Sequence, residues 1–467
     1  MRLEELRGRR VALLGLGADV RAAVPSIVGA GPAELVVVEE GGGALDGAAG
    51  DRAGFGRMVS LGEAASTAEV LVRSPGFPRY QAPLVEARAR GAAMTTPLDL
   101  WMGSSGGKRS DGSPQTVVAV TGTKGKSTVT ELTGVLAGRH GLRVGLAGNL
   151  GVPVFAEGGW DDDAPTVVLE VSSYQAADLC HVPDLAVLSF LGEDHVSWHG
   201  GVERYVADKL RVLANEAGRA GRILVAASGG RAAEAVAALG LAIEVVEPPA
   251  GGDEVPVHRL QNAALAASVL AAIGGPVLSP GQVVDAARTS LPGRLDACPG
   301  PPGILCLDDA LASNPSATAA GLAWLRTIGR PTVVLLGGAD RGVDPGPLVA
   351  EVRRWPAGLL SAIALPESGA ALAATCGVEL AGVASGVADA VDRGLGVLRD
   401  RGVVMDLGAG RTRSRPELVD PTACNGVLMF SPAAPTPPGT GNWQSRSAAF
   451  RVSLGAGGPE VVPAPGG

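Results

Sequence analysis

At 467 residues the chain is too long for one ordinary core and is sized for about three domains of ~150 residues. Its 46% hydrophobic and 18% charged residues belong to globular domains and exclude a disordered chain. A net charge of −8 with no basic stripe argues against nucleic-acid binding, although local Arg and Lys sites can still hold an anionic substrate.

The first element is a strand over Val11–Leu14 that runs into Gly15-Leu16-Gly17. A helix over Val20–Ala30 and a strand over Leu35–Val38, ending in Glu39-Glu40, complete a β-α-β unit with a Gly-rich first turn. Val20 stands where a full dinucleotide fingerprint has its third glycine, so a nucleotide or phosphate site fits better than NAD. Val70–Arg73 reads as a strand ending in Ser74-Pro75-Gly76, and ligands of open α/β sheets bind at such carboxyl ends. The Gly/Ser-rich stretch 103–115 reads as a linker.

A second domain opens with the strand Thr116–Val120. Strands at Val144–Leu146, Thr166–Leu169, Leu185–Ser189 and Ile223–Ala226, and a helix at Ala263–Ile273, predict a parallel sheet with crossover helices. A third segment begins near Pro292-Gly293-Arg294, with strands at Ile304–Leu307, Thr332–Leu336, Ala362–Leu365 and Val403–Met405. The expected division is 1–102, linker 103–115, 116–291, 292–454 and a flexible tail 455–467, in an α/β architecture of two Rossmann-like domains around a phosphate-loop domain. Met1–Arg10 lacks a signal-peptide apolar stretch, and no apolar run reaches the ~18–20 residues that span a bilayer. A cytoplasmic protein is expected, with Cys180, Cys298, Cys306, Cys376 and Cys424 as free thiols.

The strongest motif lies at the start of the second domain. Val117–Val120 leads into Thr121-Gly122-Thr123-Lys124-Gly125-Lys126-Ser127-Thr128, then a helix. The glycines let backbone N–H groups turn towards phosphate oxygens, and the positive end of the helix adds to that field. Lys126 can reach the terminal phosphates of ATP, and the Ser127 or Thr128 hydroxyl can hold Mg²⁺.

In this compact form the motif resembles the Mur ligase family, and further stretches support the resemblance in order and spacing. They are Gly148-Asn149-Leu150-Gly151, Leu169–Gln175 with Glu170 at an acidic strand end, Glu193-Asp194-His195, Tyr205–Leu210 with Lys209, His258–Asn262 and Leu291–Arg294. The resemblance implies an ATP-dependent ligase of peptidoglycan precursor synthesis that adds glutamate to UDP-N-acetylmuramoyl-L-alanine through an acyl phosphate. It implies that Gly122, Thr123, Lys124, Gly125, Lys126, Ser127, Thr128, Asn149, Asn262, Arg294 and Asp309 bind ATP. Ser127, Glu170, His195 and Lys209 would hold two Mg²⁺, with Lys209 carbamylated by CO₂, and Lys126, His195 and Lys209 would be catalytic. Gly15, Gly17, Glu39, Ser74, Pro75 and Gly76 would bind the UDP substrate.

The third segment departs from the D-glutamate-adding pattern. Leu311 replaces a lysine within Asp309–Pro315, Gly337–Gly342 carries Arg341, and Ser431–Thr436 precedes Asn442-Trp443. Arg341 can pair bidentately with a carboxylate, which a lysine cannot. These exchanges resemble the branch that adds L-glutamate, with Ser313, Arg341, Thr436 and Trp443 as the pocket and a partner epimerase acting on the product of a monomeric enzyme. The alternatives are D-glutamate as acceptor, a folylpolyglutamate-synthase-like ligase, and a non-catalytic nucleotide-binding scaffold. The second normally lacks an N-terminal UDP-binding domain; the third leaves Lys126, Glu170, His195 and Lys209 without a chemical need.

Overall fold

The computed structural model of the protein describes residues 1–38, 57–250, 255–289, 291–340, 342–403 and 424–455. Three sheets follow one another along the chain. The first contains β1 (Arg10–Leu14), β2 (Glu34–Val38), β3 (Arg57–Met58), β4 (Val70–Arg73) and β5 (Ala93–Thr95), in the order β3-β2-β1-β4-β5. All its pairings are parallel. Side chains alternate between the faces of a strand, so Val11 and Leu13 enter one apolar cluster while Ala12 and Leu14 enter another. Burying each such Val or Leu contributes about 1.5–3 kcal/mol, which is why both faces carry helices.

The second sheet contains β6 (Thr116–Thr121), β7 (Val144–Gly148), β8 (Thr166–Glu170) and β9 (Leu185–Leu188). After the short hairpin β10 (Ala214–Asn215) and β11 (Gly218–Arg219) come β12 (Arg222–Ala226) and β13 (Glu244–Val246). The order β13-β12-β9-β6-β8-β7 is parallel throughout, which aligns the carboxyl ends of β6, β8 and β9 along one edge. The third sheet contains β14 (Asp296–Cys298), β15 (Ile304–Asp308), β16 (Thr332–Leu336), β17 (Leu360–Ala364), β18 (Glu379–Val383) and β19 (Gly426–Phe430). Its order is β14-β15-β19-β16-β17-β18, with only the β14–β15 pair antiparallel.

The expected strands recur within a residue or two, with one exception. Val403 is buried but is not in a strand, and the rest of the expected Val403–Met405 strand lies outside the described residues, as does most of 411–426. The sheet centre is instead filled by β19, five buried residues that begin only at Gly426. The predicted helix at Ala263–Ile273 starts earlier and spans Val257–Ala272. The Gly/Ser-rich stretch after the first sheet is folded back on itself by a bridge between Lys108 and Pro114. It is pinned to the second sheet's domain by bonds from Arg109 Nε to the Asp163 carbonyl (2.9 Å) and from the Ser110 N–H to Asp163 Oδ1 (2.9 Å).

The chain divides into two compact units, Met1–Ala250 with Gln261–Ala286, and Gly251–Leu260 with Ala287–Gly467. The first two sheets share the first unit. Buried ion pairs join them: Asp178 accepts from Arg73 Nε at 2.7 Å and from Arg79 Nε at 2.5 Å. Among the described residues no helix is long and apolar enough to cross a membrane.

Candidate active site

The phosphate loop leaves β6 at Thr121 and enters the helix Lys126–Arg139 through Gly125, whose φ of 87° is left-handed. A Cβ at Gly125 would stand 2.5 Å from Asn262 Oδ1, so only glycine fits between the loop and that buried amide. The loop is zippered to the chain after β9. The Thr123 N–H donates to the Phe190 carbonyl (2.5 Å), and Ser189 Oγ donates to the Lys124 carbonyl (2.6 Å). The Thr123 hydroxyl meets the Tyr205 hydroxyl at 2.6 Å. Tyr205 and Lys209 stand four residues apart on the helix Val202–Leu210, hence on one face, and both are buried.

A cavity of about 100 Å³ opens beside this loop, lined by Gly122, Thr123, Lys126, Asn149, Tyr174, His195 and Lys209 among others. Lys209 is 2% exposed, and its Nζ donates to the Gly122 carbonyl at 2.9 Å. Burial, then the nearby charge of Lys126, holds its amine well below the usual lysine range. His195 has a left-handed backbone (φ 50°), and its Nδ1 lies 2.8 Å from the Tyr174 hydroxyl. Burial lowers its pKa and outweighs the opposing pull of Asp194, with nearby lysines adding in the same direction as burial. The imidazole is therefore neutral at pH 7 and keeps a nitrogen lone pair for a metal or a proton. Burial pushes the Asp194 carboxyl up, but the Lys124 ammonium, 3.2 Å away, and the hydrogen bond from the His195 backbone N–H (3.0 Å) favour the ionised form, and the carboxyl is held below the usual range.

Glu170 ends β8 and is 1% exposed. Its Oε1 accepts from Asn149 Nδ2 at 2.7 Å, while its buried Oε2 meets no donor among the described residues. A buried carboxylate oxygen without a partner is costly unless something else pairs with it, which fits a cation held there. Among the described residues no group of three or more His, Cys, Asp and Glu side chains is clustered tightly enough to hold a metal alone.

The carboxyl ends of β1 and β4, where the sheet order reverses, bring Gly15 and Gly17 to Ser74-Pro75-Gly76. The Ser74 N–H donates to the Leu14 carbonyl at 2.8 Å, and a side chain at Gly17 would collide with Ser74 Oγ. Pro75 and Asn149 line one cavity of about 200 Å³, together with Asp19, so the turn opens towards the phosphate-loop domain. Glu39 lies outside the described residues.

In the second unit, Asp309 is buried and both its oxygens are engaged: Oδ1 accepts from the Leu295 N–H (3.1 Å) and Oδ2 from Ser431 Oγ (2.8 Å). Arg294 is half-buried at the turn before β14. Ser313 is exposed, whereas Thr436 and Trp443 are half-buried. Trp443 and Leu311 pack over Gly293, where a Cβ would lie 2.8 Å from the indole, so Leu311 acts here as packing. The two glycine- and proline-rich loops are stitched together, Gly337 N–H to the Pro432 carbonyl and Ala339 N–H to the Pro435 carbonyl, both at 2.9 Å. Arg341 lies outside the described residues.

Three residues that line the cavity, Tyr174, Asp194 and Tyr205, have no role of their own in the sequence reading. Asp194 stands beside His195 in a stretch that carries the resemblance, and Tyr205 is spaced i,i+4 from Lys209. In the second unit the buried Arg446 donates to the Gly337 carbonyl at 2.7 Å.

Residues 120–237 match the Mur ligase middle domain. A UDP-N-acetylmuramoyl-L-alanine–L-glutamate ligase of Micromonospora sp. is 34% identical, covering 97% of this chain and 98% of its own length. One of Salinispora tropica is 32% identical, covering 97% and 99%. The fold is shared with UDP-N-acetylmuramate-alanine ligase MurC of Thermotoga maritima, at a TM-score of 0.50, 14% identity and coverage of 95% of this chain and 98% of that one. It is also shared with MurF ligase of Thermotoga maritima in complex with ADP, at a TM-score of 0.50, 13% identity and coverage of 97% and 96%.

Proposed function

This chain belongs to the Mur ligase family, and on that premise we propose that it joins L-glutamate to UDP-N-acetylmuramoyl-L-alanine at the expense of ATP, in peptidoglycan precursor synthesis. One observation carries the reading at the site: Lys126, His195 and Lys209 line one cavity, beside a phosphate loop and within one side chain of Glu170.

The substrate carboxylate attacks the γ-phosphorus of ATP; an O–P bond forms, the bond to the β-phosphate oxygen breaks, and ADP leaves. The glutamate amine then attacks the acyl carbon, loses a proton and expels phosphate. The carboxylate and the γ-phosphate repel one another, so most of the catalytic work is positioning and neutralisation. Backbone N–H groups of Gly122–Thr128 and the Lys126 ammonium take the phosphates, and Asn149 and Asn262 orient the nucleotide. Ser127 and Glu170, and at a second position His195 and Lys209, would hold Mg²⁺, which would supply charge neutralisation. The Ser74–Gly76 turn with Gly15 and Gly17 holds the diphosphate. Arg294 and Asp309 are assigned to ATP by the family resemblance. Ser313, Thr436 and Trp443, with Arg341, form the glutamate pocket.

Lys209 is read as a carbamate: its neutral amine attacks CO₂, an N–C bond forms and one proton departs. Burial supports this, because it lowers the amine's pKa and so favours the neutral, nucleophilic form. The reading extends to a monomeric, cytoplasmic enzyme whose L-configured product is passed to an epimerase.

The deciding assay is phosphate release from ATP with UDP-N-acetylmuramoyl-L-alanine, run with L-glutamate, D-glutamate or neither, each with and without bicarbonate. Release with L-glutamate that falls on CO₂ depletion is expected. Equal turnover of D-glutamate removes the stereochemical assignment, and indifference to CO₂ removes the carbamate.

A further inference from the structure

Arg73 ends β4 immediately before the Ser74-Pro75-Gly76 turn and is among the largest fully buried side chains of the described residues. Burying a guanidinium is costly, so what it bonds to is informative. Its carboxylate partner is Asp178, whose Oδ2 accepts from Nε at 2.7 Å and lies 2.7 Å from Nη2. Its Nη1 donates to the carbonyls of Ser74 (3.1 Å), Pro75 (2.5 Å) and Phe77 (3.1 Å), so the turn is wrapped around the cation. Its Nη2 donates to the Tyr174 carbonyl at 2.5 Å, and the Tyr174 hydroxyl is the group that meets His195 Nδ1. A second link runs in parallel: the guanidinium lies 5.1 Å from the Trp198 ring, and the Trp198 indole N–H donates to the Gly76 carbonyl at 3.0 Å. Trp198 is three residues from His195 on the same short helical turn.

From this geometry we infer that Arg73 is a positioning residue. It locks the turn that receives the nucleotide-sugar diphosphate to the backbone that aims His195, so that one buried cation sets both the substrate's seat and the catalytic imidazole. The inference rests on the ligase reading above. A simple structural ion pair would need neither the three turn carbonyls nor Tyr174, and Asp178 already has a second partner in Arg79 at 2.5 Å.

The test compares full-length Arg73→Met with Arg79→Met. Each removes one cation from Asp178 and leaves the other, so neither strands a buried carboxylate. Arg73→Met should raise KM for UDP-N-acetylmuramoyl-L-alanine and lower kcat, each by about tenfold or more, with KM for ATP within about twofold. Arg79→Met should leave all three within about twofold. Combined with Tyr174→Phe, the kcat loss should be no larger than that of the worse single variant, since both act through one path. Arg73→Lys keeps the buried charge for the case in which the methionine variant does not fold; one ammonium cannot reach all the carbonyls, so the KM effect should persist. A folded Arg73→Met or Arg73→Lys enzyme with wild-type KM and kcat overturns the inference, as do equal losses in the Arg73→Met and Arg79→Met variants. An inactive wild type would instead remove the ligase reading, which keeps the two failures distinct.

Discussion

Asp309, directly after β15, is held at a pKa of about 7, because burial penalises the carboxylate more than the Ser431 and Leu295 hydrogen bonds favour it. Below about pH 4 the group is protonated in folded and unfolded chains alike, and it contributes nothing to the pH dependence. Between about pH 4 and pH 7 the unfolded chain releases the proton and the folded chain keeps it, so stability falls as pH rises, by about 4 kcal/mol in all. Asp309→Asn should abolish that slope while keeping both hydrogen bonds, since an amide can accept from Leu295 and turn its oxygen or nitrogen to Ser431. Denaturant midpoints at pH 5 and pH 8 check it: the wild type should lose stability relative to the variant on going to pH 8. Parallel midpoints would mean that Asp309 is ionised throughout.

At the scale of the element, the phosphate loop depends on two glycines whose backbones side chains rarely adopt, φ 147° at Gly122 and 87° at Gly125. The loop is also held from outside, by Phe190, Ser189 and Tyr205, so it cannot relax around an added methyl group. Gly125→Ala would drive Cβ into Asn262 and should weaken ATP binding by about tenfold or more, while UDP-substrate binding in the first sheet's crevice changes by less than about twofold. Calorimetric titration of each ligand separates the two. Equal weakening of both would show that the change disturbs the whole unit. The last helix, Trp443–Ser453, is similarly held from outside: Arg451 Nε donates to Asp308 at 2.9 Å and Ser447 Oγ to the same carboxylate at 2.5 Å. Because that helix begins with Trp443, its anchoring also fixes the indole over Gly293.

For the whole molecule, each of the two compact units has apolar clusters of its own, built on separate sheets. Units with separate cores unfold as separate cooperative steps unless their interface is large. Scanning calorimetry should therefore resolve two transitions. Because a ligand stabilises the unit it binds, the UDP substrate should raise the one belonging to the first two sheets. A single transition that shifts as a block would show that the units unfold together. The first two sheets should not separate in such a scan, since Arg73, Arg79 and Asp178 are buried between them and breaking such a network costs about 3 kcal/mol or more.

The sequence by itself was enough for whatever depends on neighbours along the chain. The phosphate loop is a strand, two glycines and a helix start within a dozen residues, and the unbroken apolar runs of Val11–Leu14 and Val333–Leu336 show their two-faced burial directly. Order and spacing of short motifs carried the family as well, and relatives that span 97% of the chain bear that out. Tertiary structure decided what depends on residues far apart in sequence. It placed β19 in the middle of a sheet whose other strands precede it by dozens of residues. It turned both oxygens of Asp309 inwards, and it joined Arg73 to Tyr174 across 101 positions. The physical reason is that hydrogen bonds and burial act through space: periodicity records which face of an element is apolar, but not which distant carbonyl or cation will be waiting there.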